Sequence, residues 1–262
     1  MEISRNPSRS WIYEAIRAVL SLIFLNSVHA TVIAAENALP VLTAEDVVNR
    51  MVQADEKRLS EFQGYTAIRR YSLDNKRVNK RAEMMVRVTC TSTGARSFTV
   101  VSESGSSIIR SRVLRKLIEA EAEASQQDLR AQNRIVPANY DFRLARSEAT
   151  DGRLAHVLEI APKTPNRFLI RGRIWVDAEE YAISRIEGTP AKNPSFWTRN
   201  IHIVHRYGKT GPFWLPTLNH SRAEAMIFGS TEVTIEYFDY VLNGVVSSSA
   251  PTPPKAGCCE GH

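Results

Sequence analysis

Apolar residues recur first at helical spacing in this chain and then, for most of its length, at every second position. Val48, Met51, Val52, Leu59 and Phe62 follow Thr43, Glu45 and Asp46, a Thr-x-x-acid start, which predicts a helix from about Ala44 to Phe62. From Gly64 the period drops to two. Tyr65 to Leu73, Arg81 to Thr91 and Ser97 to Ser102 read as strands, separated by polar turns at Asp74-Asn75-Lys76 and Ser92-Thr93-Gly94. A second helix is expected over about Ser107 to Gln132, with Ile109, Val113, Leu117, Ala120 and Ala124 on one stripe. Seven more strands follow: Tyr140 to Ser147, Leu154 to Ala161, Phe168 to Asp177, Ala182 to Glu187, Asn200 to Tyr207, Trp214 to Glu224 and Thr231 to Leu242.

The stretch from Phe168 to Glu187 shows the pattern most clearly. Phe168, Ile170, Ile174 and Val176 share one parity, and Arg171, Arg173, Trp175 and Asp177 share the other, as in a half-buried strand. Asp177-Ala178-Glu179-Glu180 then turns the chain into a return strand through Tyr181, Ile183 and Arg185.

Ten or so strands and two helices cannot bury both sheet faces in two ordinary layers. The pattern therefore predicts an α+β fold, a single strongly curved antiparallel sheet with the helices packed in and over its concave face. The parity expected to face that concavity holds Met84, Val86, Val88, Phe142, Leu144, Leu154, Leu158 and Ile160. It continues through Phe168, Ile170, Ile174, Val176, Ile201, Ile203, Val233, Ile235 and Tyr237. Singly these read as core; together they can line an apolar cavity for a lipid.

The ends of the chain change the picture. Arg5, Arg9 and Arg17 precede the apolar run Ala18 to Leu25, and small residues stand at Val28-His29-Ala30 and Ile33-Ala34-Ala35. This is the layout of an export signal, residues 1–30, cleaved after Ala30 or Ala35. The run is too short to span a bilayer, and no lipidation cysteine follows it. About 230 residues remain, enough for one domain over residues 40–244. The Ser/Pro/Ala-rich segment 245–262 reads as a disordered tail.

The formal charge of +6 is spread over many strands rather than clustered, which argues against nucleic acid as a partner. Arg110, Arg112, Arg115 and Lys116 form one local basic group at the head of the second helix. Three cysteines, Cys90, Cys258 and Cys259, do not make a disulfide framework.

Catalytic signatures are absent from the sequence. His202 and His205, three apart in a strand, fall on opposite faces, and His156 and His220 stand alone. There is no Gly-x-Ser-x-Gly elbow and no phosphate-binding Gly-rich loop ending in Lys-Ser/Thr. Asp177, Glu179 and Glu180 are ordinary turn residues. A binding protein without metal or cofactor is expected, not an enzyme.

Leu42-Thr43-Ala44-Glu45-Asp46-Val47-Val48, Phe62-Gln63-Gly64-Tyr65, Gly172-Arg173-Ile174-Trp175-Val176-Asp177 and Tyr181-Ala182-Ile183-Ser184-Arg185-Ile186-Glu187 resemble the LolA/LolB-like outer-membrane lipoprotein-sorting family. The related RseB/MucB sensor domains share the plan. The resemblance implies an incomplete β-barrel of about eleven strands with a helical lid over an apolar cavity. It further implies a periplasmic carrier of the acyl chains of lipoproteins or other lipids, in transient contact with envelope membrane proteins. An RseB-type lipid sensor and a ligand-free envelope protein are the alternatives. The family's gating arginine has no defined motif here; Arg69 and Arg70 occupy a comparable place in the first strand.

Overall fold

A computed structural model describes residues 42–77, 79–166, 168–193, 198–225 and 229–244. The expected export signal, the tail and Cys258, Cys259 and His262 lie outside these residues. Within residues 43–244 the chain forms helix α1 (Ala44–Glu61), then strands β1 (Gly64–Asn75), β2 (Lys80–Thr91) and β3 (Arg96–Gly105). A helical segment follows: α2 (Ser107–Ile109), a π-helical turn (Arg110–Leu114), α3 (Arg115–Ala124) and α4 (Gln127–Asn133). Strands β4 (Tyr140–Thr150), β5 (Arg153–Pro162), β6 (Ile170–Asp177), β7 (Ile183–Pro190), β8 (Thr198–Thr210), β9 (Phe213–Ala225) and β10 (Gly229–Leu242) complete the fold.

All ten strands belong to one sheet, in the order β3-β2-β1-β10-β9-β8-β7-β6-β5-β4. Every pairing is antiparallel, and the first and last strands meet in its interior, with Tyr71 opposite Ile235. Strands β3 and β4 are the two free edges, so the sheet is not closed. The chain travels from one edge to the other through the helical segment. An open sheet this large fits a curved layer better than a flat one.

Gly172 and Gly188 face each other across β6 and β7. A Cβ on Gly172 would fall 2.0 Å from the Glu187 carbonyl oxygen, and one on Gly188 would fall 2.2 Å from that of Arg171. The two strands approach too closely here for any side chain.

Sequence patterning accounts for the start of α1 and for the largest buried cluster. Thr43 Oγ1 accepts the Asp46 amide at 3.1 Å, and the Asp46 carboxylate accepts the Thr43 amide at 3.0 Å, closing a capping box. Tyr71, Leu73, Met84, Val86, Val88 and Ile235 form one buried cluster with Leu114 of the π-helical turn, and Ile109, Val113 and Ile118 pack against it. The helical segment thus covers the β1–β2–β10 part of one sheet face.

Two local features differ from the expected pattern. The single long second helix is interrupted twice, at the π turn and at Ser125 and Gln126. At the second break Ser125 Oγ donates to the Ala122 carbonyl at 2.8 Å and accepts the Arg96 amide at 3.3 Å. A side chain that offers the backbone such alternatives weakens helix continuity. Trp175 and Asp177, on the polar parity of β6, are only 4% and 2% exposed. Trp175 packs with Ala155 and Val157, stacks under Arg185 at 4.6 Å and donates to Glu148 at 2.6 Å. Asp177 receives Arg153 at 2.6 Å and the amides of Glu179 and Glu180 at 3.1 and 2.8 Å. Both side chains are buried because paired charges cover them, which alternation alone does not predict.

Candidate functional site: an aromatic cavity beside a buried ion pair

Strand β1 alternates Tyr65, Ala67, Arg69, Tyr71 and Leu73 toward its buried face, so an arginine stands where an apolar residue would be expected. Arg69 is completely buried. Its guanidinium donates to Glu121 of α3 at 2.6 Å and lies over the rings of Tyr237 and Phe98 at 4.6 and 5.6 Å. The Tyr71 hydroxyl donates to the other Glu121 oxygen at 3.2 Å, and Arg96 of β3 donates to the first at 2.8 Å. Two guanidiniums and a phenol therefore converge on one carboxylate, tying the sheet to α3.

Burial works to raise the Glu121 carboxyl, but the charges of Arg69 and Arg96 outweigh it and hold the group below the usual carboxylate range. Arg69 is held further above its ordinary value by Glu121, against its own desolvation. Its neighbour Arg70 points the other way, exposed and paired with Glu236 at 2.7 Å.

Beside this network lies a cavity of about 620 Å³ lined by Phe62, Tyr65, Leu117, Phe213, Leu215 and Tyr237, with Arg96 and Glu121 in its wall. Its aromatic side is built edge to face: Phe62 meets Phe213 at 5.4 Å and Tyr65 at 6.1 Å, and Tyr65 meets Tyr240 at 5.1 Å. A second cavity of about 370 Å³ is lined by Met51, Val52, Phe168, Ile170, Ile183 and Ile186. Asp55, Arg58, His205, Tyr207 and Trp214 line both, so the two spaces are neighbours across these side chains. Burial pushes the His205 imidazole down to about 4 and the Tyr207 phenol up to about 12, which leaves both neutral near pH 7.

Helix α1 walls both cavities and is clamped by its own side chains, Arg50 donating to the Tyr181 hydroxyl at 2.8 Å. Arg58 donates to the carbonyls of Glu180 and Tyr181 at 3.0 and 3.3 Å, and Asp55 accepts Arg134, just past α4, at 2.7 Å.

The residues expected to face an apolar cavity divide among several places. Ile235 and Tyr237 line the larger cavity, and Phe168 and Ile170 line the smaller. Met84, Val86 and Val88 are fully buried under the helical segment, and Val233 packs against the same cluster. Leu158, Ile160, Ile174 and Val176 are buried in the β5–β6 region, whereas Phe142, Leu144, Ile201 and Ile203 are half-buried. The sequence places Phe62 only at the end of the first helix's apolar stripe, and it marks none of Phe213, Trp214 or Glu121 as a site residue. Phe62, Phe213 and Trp214 sit at element ends, where alternation gives no parity, and Glu121 looks like one more charge on a charged helix.

Among the described residues no group of three or more His, Cys, Asp or Glu side chains could hold a metal, and no helix is long and apolar enough to cross a membrane.

By sequence, no family model and no curated relative matches the chain. In three dimensions it is similar to a DUF1329 family protein from Desulfovibrio piger, at 13% identity and a TM-score of 0.41, covering 78% of this chain and 95% of that one. It is also similar to a putative outer membrane lipoprotein-sorting protein domain from Vibrio parahaemolyticus, at 12% identity and a TM-score of 0.37, covering 77% and 95%. MucB in a complex with MucA from Pseudomonas aeruginosa matches at 12% identity and a TM-score of 0.24, covering 74% of this chain and 93% of that one. At such identities and scores these likenesses carry no function over to this chain.

Proposed function

We propose that this chain is a periplasmic carrier that shields the acyl chains of a lipoprotein or another lipid inside the cavity between the sheet, α1 and α3. The observation that carries this reading is the 620 Å³ aromatic space with Arg69 and Glu121 joining sheet to helix beside it. A volume in the range of roughly 300–1,000 Å³ suits a small amphiphile. Each methylene moved from water into the cavity gains about 0.8 kcal/mol, so a modest length of chain is enough for capture.

In this reading α3 is the lid and the Arg69–Glu121 pair its latch. Burying a charge pair costs desolvation, so such a latch holds the lid closed without making opening prohibitive. Loading and release then follow lid movement, and no covalent chemistry is required. The export signal pattern at residues 1–30 supports a periplasmic location and contact with envelope membranes. The resemblance of the Gly172–Glu187 hairpin to lipoprotein-sorting proteins points the same way.

Native purification of the mature protein from a bacterial periplasm, followed by solvent extraction and lipid mass spectrometry, tests the proposal. A stoichiometric lipid is expected. If no lipid is recovered and a fluorescent fatty acid also fails to bind, the carrier reading falls.

A further inference from the structure

The polar end of the larger cavity carries more positive than negative charge. Arg69 and Arg96 share the single carboxylate of Glu121, at 2.6 and 2.8 Å. The remaining titratable neighbours do not offset them. His205 is neutral near pH 7, and burial holds the Tyr237 and Tyr207 phenols and the Cys90 thiol protonated. One positive charge is left over in a desolvated wall, where an unbalanced charge is costly.

That charge is within reach of a ligand. Arg69 is completely covered, but the Arg96 side chain is 32% exposed and lines the cavity. The Nε atoms of both arginines are buried and have no hydrogen-bond partner. Farther along the wall, Arg58 and Arg130 add two guanidiniums whose acceptors are main-chain carbonyls of Glu180, Tyr181 and Thr93. Asp55, the other carboxylate in the lining, is paired with Arg134. The aromatic rings of Phe62, Phe213 and Tyr65 begin on the same cavity wall.

We propose that the cavity selects an amphiphile whose acyl chain ends in a monoanion, a long-chain carboxylate being the simplest, with the anion set against Arg96 and the chain along the aromatic wall. This rests on the carrier reading and narrows it: a cargo with a neutral head leaves the Arg96 charge uncompensated. A carboxylate there accepts charge-assisted hydrogen bonds from guanidinium N–H groups, and its single charge equals the excess that Glu121 leaves.

The experiment compares sodium palmitate with hexadecanol, two ligands of equal chain length, by titration calorimetry on the delipidated mature protein. Palmitate should bind roughly ten- to a hundredfold more tightly than hexadecanol, the scale of a hydrogen-bonded charge. The Arg96→Met variant should bring the palmitate-to-hexadecanol affinity ratio toward one, whatever it does to the absolute affinity for either ligand. The wild-type comparison stands even if the variant proves unstable. Equal binding of the two ligands by the wild-type protein would overturn the anion proposal and leave the carrier reading intact. Failure of both to bind would overturn both.

Discussion

Arg69 in β1 donates to Glu121 in α3 at 2.6 Å, from a position with no exposed surface. One end of this bond belongs to the sheet and the other to the segment that connects its two free edges. Breaking it by mutation should therefore loosen that segment before it disturbs the sheet.

Arg69→Met should cost about 3 kcal/mol in urea unfolding, the lower end for breaking one side of a buried pair, because Glu121 keeps Arg96. Arg70→Met, one residue away but exposed and paired with Glu236, should cost under about 1 kcal/mol. Adding Glu121→Met to Arg69→Met should deepen the loss, because Arg96 is then left in the wall without its carboxylate. Similar costs for Arg69→Met and Arg70→Met would remove the latch from the account.

Acid should weaken the molecule in two stages. His205 titrates lower in the fold than in the unfolded chain, so its contribution is full above its ordinary value of 6.5 and is lost as pH falls toward about 4. Glu121 is also depressed, so its contribution is full above the ordinary carboxylate value and is lost only as pH falls through its lower folded value. In thermal melts, His205→Gln should flatten the loss between pH 6.5 and 4, and Glu121→Gln the loss below it. Unchanged pH profiles in both variants would contradict these assignments.

Strand parity can be tested in β6. Ile174 is fully buried and Arg173 is exposed. Ile174→Glu should abolish folding or lipid binding, whereas Arg173→Glu, opposite Glu159 and Glu187, should cost about 1 kcal/mol or less. Equal effects on melting temperature and binding would mean that the face is misassigned.

Gly172→Ala should destabilise by about 1–3 kcal/mol, because the added methyl meets a carbonyl oxygen of β7 rather than open space. Gly152→Ala serves as the control for space, since nothing lies within 4 Å of its Cβ position, although its φ of +78° adds backbone strain. A Gly172→Ala variant as stable as the wild type would argue against this close approach of β6 and β7.

Much of this architecture was legible in the sequence because two periods govern it. Strand alternation located all ten strands, and the Thr43 capping box located α1. The order of pairing was not legible: β1 meets β10 across most of the chain, and no local pattern encodes that contact. Arg69 left a signal, a charge on the apolar parity of Tyr65, Ala67 and Tyr71. Its partner Glu121 left none, since a glutamate among Glu119 and Glu123 looks solvated until the sheet is placed beneath it. Trp175 and Asp177 misled for the opposite reason, as their polar partners come from β4, β5 and β7.

The central claim is that an acyl chain occupies the aromatic cavity. Trp214 lines that cavity, whereas Trp175 packs with Ala155 and Val157 elsewhere in the sheet. Titrating the wild-type protein and Trp214→Phe with doxyl-labelled stearate, while following tryptophan fluorescence, reads occupancy at Trp214 by difference from the other tryptophans. Saturable quenching is predicted in the wild-type protein and should largely disappear in Trp214→Phe. Absent or non-saturable quenching, or saturable quenching unchanged in Trp214→Phe, would contradict the account.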